Sequence, residues 1–260
     1  MFVDFHVHPN LPKSNVDDWL DRWWVNIRRS RLDALVITEH SYKNPERAYT
    51  AMVDSRPGSS GTLVFPGVEA LTSEGIDVLA FSESDKIYDY EELVTPYALS
   101  FDELVDFLGK HGDIVGIIPH PFTPGTTGII SHLGEKRSKK IIDKLGRVEV
   151  HNGAMRGVLK VFGETGLSFF MQNKFSRAQK TFDLPKAFYP KKPRLLSAGS
   201  DAHSPDCLGA GVRINQAWKS RKDAFRMISS ARGTIIKQKL CHPYRDTFTA
   251  FSEWWMKKWL

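Results

Sequence analysis

Two histidines one residue apart near the start of the chain are the first residues able to do chemistry. His6 and His8 lie in Met-Phe-Val-Asp-Phe-His-Val-His, a run rich in aromatic and β-branched residues that ends at Pro9. Such a run predicts a strand, on which side chains at i and i+2 point the same way. Asp4 therefore lies on the same side. Two imidazoles on one face predict a pair of metal ligands, although two unrelated surface histidines would give the same short pattern.

Four further segments place a histidine or a carboxylate after an apolar run. They are Thr38-Glu39-His40, Gly67-Val68-Glu69, Pro119-His120-Pro121 and Gly199-Ser200-Asp201-Ala202-His203. A lone histidine at a strand end is usually a capped or core side chain, and Asp201 could simply N-cap the next helix. Five strand ends that all present histidine or carboxylate predict a metal cluster.

Strand and helix patterns alternate along the chain. Apolar runs predict strands at 34–37, 63–65, 76–81, 114–118, 147–150, 195–198 and 234–237. Helical spacing predicts helices at 17–30, 45–55, 136–144, 220–231 and 245–259, and two more within 154–182. Ser100 and Glu103 form a capping-box pattern at the start of another helix. Residues 122–135, rich in Gly, Thr and Pro, are predicted to be a loop that could cover the site.

Repeated strand-then-helix units indicate an α/β fold with a parallel sheet. In a closed β/α barrel the carboxyl ends of the strands converge on one face, where active sites lie. The chain shows no internal repeat and no long linker. We therefore expect residues 1–260 to form a single barrel domain, with 242–260 as a helical C-terminal extension.

Composition restricts the class of protein. No apolar run is long enough to span a membrane and no secretory signal opens the chain, so we expect a cytoplasmic protein without a membrane partner. Cys207 and Cys241 are the only cysteines, which gives no disulfide framework.

Residues 1–130 carry 10 Lys+Arg and 20 Asp+Glu, whereas residues 131–260 carry 26 Lys+Arg and 10 Asp+Glu. A basic second half suggests an anionic partner, or merely a solvated basic face.

The five histidine and carboxylate segments together resemble the motifs of the PHP family, named for polymerase and histidinol phosphatase. Their order and spacing match from residue 4 to about 240. The resemblance implies a distorted (β/α)7, TIM-like barrel with a metal site at the carboxyl ends of its strands. It also implies two or three divalent metal ions and hydrolysis of phosphate esters. Mixed imidazole and carboxylate ligands suit Mn, Zn or Fe, and ligand type does not choose among them.

The resemblance also assigns the ligands of each metal. The first metal would be held by His6, His8, Glu69 and Asp201, the second by His40 and His203, and the third by Glu69 and His120. Where family members often carry a histidine, this chain has Asp77, which can still ligate. Where they carry Asp or His after the first motif, this chain has Asn15, a weaker ligand for the second metal.

The chemistry implied by the resemblance needs no nucleophilic Ser or Cys. Clustered divalent metals neutralise phosphoryl charge and lower the pKa of a bound water, which would attack as a bridging hydroxide. Glu69, Asp201 and His203 would be the catalytic residues. In a Glu-x-x-Asn-Gly stretch that the family shares, Glu149 precedes Asn152, which could line the substrate pocket. Arg156 could pair with a substrate phosphate. Alternatively, His151 and Asn152 merely start a turn and Arg156 is solvated.

Four functions compete on the sequence alone. We expect a phosphoesterase that acts on a small phosphorylated substrate. The alternative is a nuclease or nucleic-acid end-processing phosphodiesterase, for which the basic second half would track the backbone. A non-catalytic metal-binding module is disfavoured by the near-complete ligand set. An amidohydrolase is disfavoured because Glu69, and not a lysine, takes the bridging place. The sequence does not indicate an oligomeric state.

Overall fold

The structure is a computed structural model that describes residues 1–123, 127–166, 169, 171–230, 233–239 and 247–248. Its strands are β1 Phe2–Val7, β2 Ala34–Ile37, β3 Leu63–Leu71, β4 Asp77–Ser82, β5 Ile114–Ile117, β6 Arg147–Asn152, β7 Leu195–Gly199, β8 Gly211–Arg213 and β9 Thr234–Ile236. Its α-helices are α1 Val16–Ser30, α2 Pro45–Asp54, α3 Glu91–Val94, α4 Phe101–Lys110, α5 Ile129–Leu145, α6 Met155–Thr165, α7 Gln172–Phe182 and α8 Arg221–Ser229.

The strands form a mixed sheet, which corrects the parallel sheet expected from the sequence. Seven strands are ordered β5-β4-β3-β2-β1-β8-β9, and β6 and β7 form a separate parallel pair. β1, β2 and β3 are parallel, but β4 is antiparallel to both of its neighbours. A tight turn joins β3 to β4, so that Leu71 at the end of β3 pairs with Asp77 at the start of β4. The reversal brings Asp77 to the edge where the parallel strands end.

The curled sheet is compatible with a TIM-like fold, but its ladder does not close into the expected barrel over the described residues. Isolated parallel bridges lie on either side of the β6–β7 pair, one between Ile118 and Val148 and one between Val7 and Ala202. The His8 amide donates to the Ala202 carbonyl at 2.9 Å. At these two places a single bridge takes the place of a continuous ladder, and the chain leaves the strand toward the candidate site.

The helices begin and end largely where their sequence signals lie. The predicted helix at 17–30 is confirmed as α1, whose first turn holds Asp17 and Asp18 and whose last turn holds Arg28 and Arg29, as the helix dipole favours. The capping box at the start of α4 is also confirmed, because the Ser100 hydroxyl accepts from the N3 amide and the N3 glutamate accepts from Ser100. Local hydrogen-bonding and dipole terms therefore set these boundaries.

The predicted loop at 122–135 is wrong in its second half. Helix α5 starts at Ile129, with a kink at Gly134, whose φ is 69°. Glycine adopts this positive φ without steric cost, and it breaks α5 into two helical stretches, before and after Gly134. Ile129 is buried in the core, and this packing favours the additional helical stretch before the glycine. The predicted helix at 245–259 and the extension at 242–260 lie largely outside the described residues.

Apolar side chains pack on both sides of the sheet. Trp23 and Trp24 of α1 are buried in the same core cluster as Leu35 and Ile37 of β2. No helix in the described part of the chain is long and apolar enough to cross a membrane. The single-domain assignment and the cytoplasmic location stay predictions from the sequence.

A buried carboxylate ties the β6–β7 pair to the main sheet. Asp4 of β1 accepts from the Ser200 amide at 2.9 Å, from the Ser200 hydroxyl at 2.5 Å and from the His6 amide at 3.2 Å. Burial raises the pKa of Asp4 to about 7, against the opposing effect of these hydrogen bonds. Three donors thus converge on one carboxylate at the junction.

Asp4→Asn should destabilise the fold. An amide has one acceptor oxygen where the carboxylate has two, so a buried donor is left unpaired at a cost of about 1–3 kcal/mol. Urea unfolding should report this loss, whereas Asp113→Asn, at an exposed aspartate, should change the free energy of unfolding very little. Equal effects of the two substitutions would contradict a linking role for Asp4.

Candidate metal centre

β1 presents its two histidines together, as the i, i+2 spacing predicts. The rings of His6 and His8 lie 4.9 Å apart between centroids, and both are fully buried. The Nδ1 of His6 lies 3.0 Å from the Glu149 Oε1, and the Nδ1 of His8 lies 3.5 Å from the Glu39 Oε1. A carboxylate on one ring nitrogen orients the imidazole and directs Nε2 to the opposite side. Both Nε2 atoms therefore face the centre.

Three imidazoles stack at the end of β1 and β2. The ring of His8 lies 4.3 Å from His40 and 4.4 Å from His203, both close to parallel. The Nε2 atoms of His40 and His203 are 3.3 Å apart. The Nδ1 of His203 lies 3.0 Å from the Asp201 carbonyl, where it can donate, so Nε2 is directed at the cluster. Nitrogens this close suit ligation of a single ion.

Glu69 and His120 form the other side of the cluster. The His120 Nε2 lies 3.0 Å from the Glu69 Oε1 and 3.9 Å from the Asp77 Oδ2. His120 has φ of 25°, a strained value outside glycine. Its amide donates to the Glu149 Oε2 at 2.9 Å, which holds the strained turn in place. Asp77 thus lies beside the other predicted ligands. It is the first residue of β4, whereas the sequence pattern placed the ligands at the ends of strands.

The Asp201 carboxylate faces both His6 and His8. Its Oδ1 lies 3.3 Å from the His8 Nε2 and 3.6 Å from the His6 Nε2. Its φ of 48° is also left-handed. The Asn152 amide donates to its Oδ2 at 3.0 Å and to the Glu149 Oε2 at 3.1 Å. Hydrogen bonding thus fixes the carboxylate that faces both histidines.

Seven of the predicted ligands fall into overlapping groups, and Asp77 lies beside them, 3.9 Å from the His120 Nε2. Three groups have ligand atoms that all lie within 4.8 Å of one another: His8, His40 and His203; His6, Glu69 and His120; His6, His8 and Asp201. His6 and His8 each belong to two of these groups, because neighbouring groups overlap. One imidazole nitrogen binds one ion at a time, so the overlap shows a single contiguous cluster of ligands.

The other predicted site residues lie apart or serve differently. Asn15 is exposed at the start of α1, and its role as a ligand stays a prediction. Asn152 is fully buried and bonds to Asp201, so that its position suits orientation of this ligand, and its contact with substrate stays a prediction. Arg156, on α6, is half-buried, and its Nε donates to the Lys239 carbonyl at 2.9 Å.

Sequence reasoning assigned no site role to Glu39 or Gly199. Glu39 accepts from the Asn10 amide at 2.7 Å and faces the His8 ring, so its place beside His40 was the available signal. A Cβ on Gly199 would overlap the Cβ of His6 and lie 3.1 Å from the Glu149 Oε1. Glycine is thus required where β7 crosses β1, and a glycine directly before Ser200 and Asp201 gave only a weak indication.

Opposite charges favour the protonated form of His6 and His8 in the metal-free protein. Burial lowers the pKa of His6, but Asp201 and Glu149 outweigh it and raise the pKa to about 10. Burial likewise opposes the effect of Asp201 and Glu39 on His8, whose pKa rises to about 9. Burial raises the pKa of Asp201, but the neighbouring histidines hold it well below its usual value. Asp201 is therefore ionised and able to ligate.

The donor set fits divalent ions. Nitrogen and oxygen ligands about 2.0–2.2 Å from a tetrahedral ion are about 3.4 Å apart, close to the 3.3 Å and 3.6 Å between Asp201 and the two β1 histidines. The His6 Nε2 is buried and makes no hydrogen bond within the described residues. A bound cation would take the place of the protons that these imidazoles carry.

Comparisons with known proteins establish the fold. No protein-family model and no curated protein matches the chain. PsfC from Pseudomonas syringae PB-5123 has a similar crystal structure, with a TM-score of 0.54 at 18% identity over 98% of both chains. The lesion-specific endonuclease PfuEndoQ from Pyrococcus furiosus matches with a TM-score of 0.51 at 13% identity, over 92% of this chain and 57% of that chain. At these identities the likeness shows a shared fold.

Metal binding should strengthen as the pH rises. In the metal-free protein, pairing stabilises the fold fully below the unfolded histidine pKa of about 6.5. This stabilisation is lost as the pH rises through about 9 for His8 and about 10 for His6. Because metal ions displace the same protons, the rise in melting temperature on adding Mn or Zn should grow from pH 6.5 to 9. A rise that shrinks over this range would contradict the assignment.

Gly199→Ala should weaken metal binding. The new methyl group displaces His6 from Glu149, and losing such an orienting contact lowers metal affinity about 10- to 100-fold. Gly163→Ala is the matched control, because a Cβ there meets no atom within 4 Å. Calorimetric titration with Mn should separate the two variants, and equal affinities would exclude the crowding argument.

Proposed function

We propose that this protein is a PHP-type metal-dependent phosphoesterase that hydrolyses a small phosphate ester. The observation that carries the proposal is one contiguous cluster of seven His, Glu and Asp ligands, which is large enough for more than one divalent ion. Adjacent cation sites suit phosphate esters, because one phosphoryl group can contact more than one charge. The likeness to an endonuclease fold is compatible with a hydrolase.

Divalent ions bound here would neutralise phosphoryl charge and lower the pKa of a water molecule. The chain's own residues orient the ligands. Glu149 holds the ring of His6 and the backbone at His120, and Asn152 holds Asp201. This network fixes ligand positions before substrate arrives, which is the preorganisation that catalysis of charged reactions requires.

Substrate would approach from the side of Asp201 and His203. Both side chains are 13% exposed, whereas the side chains of His6, His8 and Glu69 are at most 1% exposed. We propose catalytic contact by Asp201 and His203 for this reason, with Glu69 as the third catalytic residue, which would hold the ions beneath them. A phosphate contact by Arg156 rests on the sequence, because a guanidinium matches phosphate oxygens with paired donors. In the structure its Nε donates to the Lys239 carbonyl.

The surface charges favour a small substrate over a nucleic acid. Three basic residues of α5 form ion pairs with acids, Arg137 with Asp102 at 2.8 Å, Lys139 with Asp143 at 2.6 Å and Lys144 with Asp106 at 3.7 Å. Paired cations are poor candidates for tracking a phosphodiester backbone. The excess charge of the second half is thus partly neutralised by acids of the first half.

A nuclease is the second candidate. The endonuclease PfuEndoQ shares the fold over 92% of this chain, which is the observation in its favour. Exposed Lys136 and Lys140 on α5 would then contact the backbone.

Purified protein loaded with Mn or Zn should hydrolyse at least one small phosphomonoester or phosphodiester. Asp201→Asn should lower kcat by at least about 100-fold, because it removes a charge shared by two histidines. Asp206→Asn, at a surface residue paired with Arg22, should keep wild-type activity. Circular dichroism checks that both variants fold. A full screen of esters without turnover, at verified metal loading, would refute the proposal.

Charge reversal should separate the two candidates. Lys136→Glu combined with Lys140→Glu should leave activity on a small ester unchanged, because neither lysine belongs to the metal centre. If the protein were a nuclease, the same variant would lose activity on oligonucleotides, and wild-type affinity would fall steeply with salt, by about 0.9 in log–log slope per phosphate contacted on duplex DNA. Turnover of oligonucleotides alone would establish the nuclease function.

A further inference from the structure

An aromatic ring covers one ligand of the metal centre. Tyr42 follows β2 on a short 3-10 turn, Ser41–Lys43, and its ring stacks on His40 at 4.8 Å with an interplanar angle of 10°. His40 stacks on its other side against His8. Tyr42 is half-buried, so the stack runs from the buried centre to the surface. The ring of Tyr42 is the rim of the centre on this side.

A lysine stands on the same rim. The Nζ of Lys43 lies 5.7 Å from the centroid of the Tyr42 ring and 3.3 Å from the Oδ1 of Asn10. Asn10 in turn donates its amide to Glu39, which faces His8. The Lys43 ammonium is thus connected to the centre through Asn10 and Glu39, and it remains outside the ligand groups.

The exposed part of the centre lies next to this rim. The His40 Nε2 is 3.3 Å from the Nε2 of His203, which is one of the two most exposed members of the cluster. A phosphoryl group that reaches His203 leaves the rest of its molecule directed outward. The Tyr42 ring lies 4.8 Å from the His40 ring and 5.7 Å from the Lys43 Nζ, so a leaving group of several bonds reaches from the centre to the ammonium.

We propose that Tyr42 and Lys43 form a rim subsite for a second anionic group, phosphate or carboxylate, on the leaving-group side of the substrate. The inference rests on the proposed function and adds a substrate class, namely esters with two anionic groups. An ammonium binds an anion as a compact charge without fixed geometry. The half-buried position beside an aromatic ring lowers the local dielectric and strengthens the pairing.

Binding of non-hydrolysable probes tests the subsite. Alkane α,ω-diphosphonates with two to six methylene groups carry two anions, and alkyl monophosphonates of the same lengths carry one. Calorimetry on the Mn-loaded protein should show tighter binding of one or more diphosphonates than of the matched monophosphonate. Lys43→Gln should reduce the ratio of diphosphonate to monophosphonate affinity about tenfold. This is the effect expected for loss of a charge-assisted contact of about 1.4 kcal/mol. Monophosphonate affinity should stay within about twofold.

Two further variants control the experiment. Lys43→Arg keeps the charge and should retain most of the diphosphonate preference. Lys86→Gln removes an exposed lysine on the comparable turn after β4, and β4 is antiparallel, so this turn lies at the opposite edge of the sheet from His40. It should bind both probe series like wild type. Lys43→Gln should also raise KM more than it lowers kcat for any doubly anionic ester.

The outcomes separate this inference from the proposed function. Equal losses for both probe series in Lys43→Gln would overturn the subsite, because they would indicate a general effect on the metal centre. Binding of both series without any diphosphonate preference in wild type would also overturn it and leave the phosphoesterase proposal intact. Absence of binding by either series to the metal-loaded wild type would count against both.

Discussion

One carboxylate lies among four buried imidazoles, and the rest of the site is built around it. Glu69 lies 3.0 Å from the Nε2 of His120, 3.6 Å from that of His6 and 3.8 Å from that of His8, and it contacts His40 as well. Buried charges are costly unless they are paired. Four strand ends must therefore meet at Glu69, and the end of β3, with neighbours on both sides, is where they can meet.

The sheet is irregular where it brings these strand ends together. Reversal of β4 brings Asp77 to the ligand edge, and single bridges replace continuous pairing on both sides of β6 and β7. His120 and Asp201 adopt left-handed φ values that the surrounding hydrogen bonds must maintain. Strain of this kind persists where neighbouring contacts over-determine the conformation. The distortions are concentrated where the ligands converge.

The uneven charge of the chain has two structural explanations. Acidic residues of the first half are divided between the ligand cluster, as Glu39 and Glu69 are, and the surface, where Asp102 and Asp106 pair with α5. Exposed pairs of this kind contribute about 0–1 kcal/mol each, so they say little about stability. Their main consequence is a less positive surface than the sequence total suggests.

The sequence by itself determined most of the strands, though not β8, and it determined the ligand types. Apolar runs that end in His6, His40 or Glu69 predict both the strand and the metal ligand. This is because the same few positions carry the hydrophobic pattern and the ligand side chain. The capping box at Ser100 was predictable for the same reason. Resemblance to a known family supplied the grouping of ligands, which spacing alone does not contain.

Only the tertiary structure decided which residues meet. The reversal of β4 depends on pairing with β3 and β5, the helical start of α5 at Ile129 depends on core packing, and the need for Gly199 depends on the approach of His6. These contacts join residues far apart in the chain, so no local pattern records them. The rim formed by Tyr42 and Lys43 is of the same kind, because its position beside the centre comes from stacking on His40.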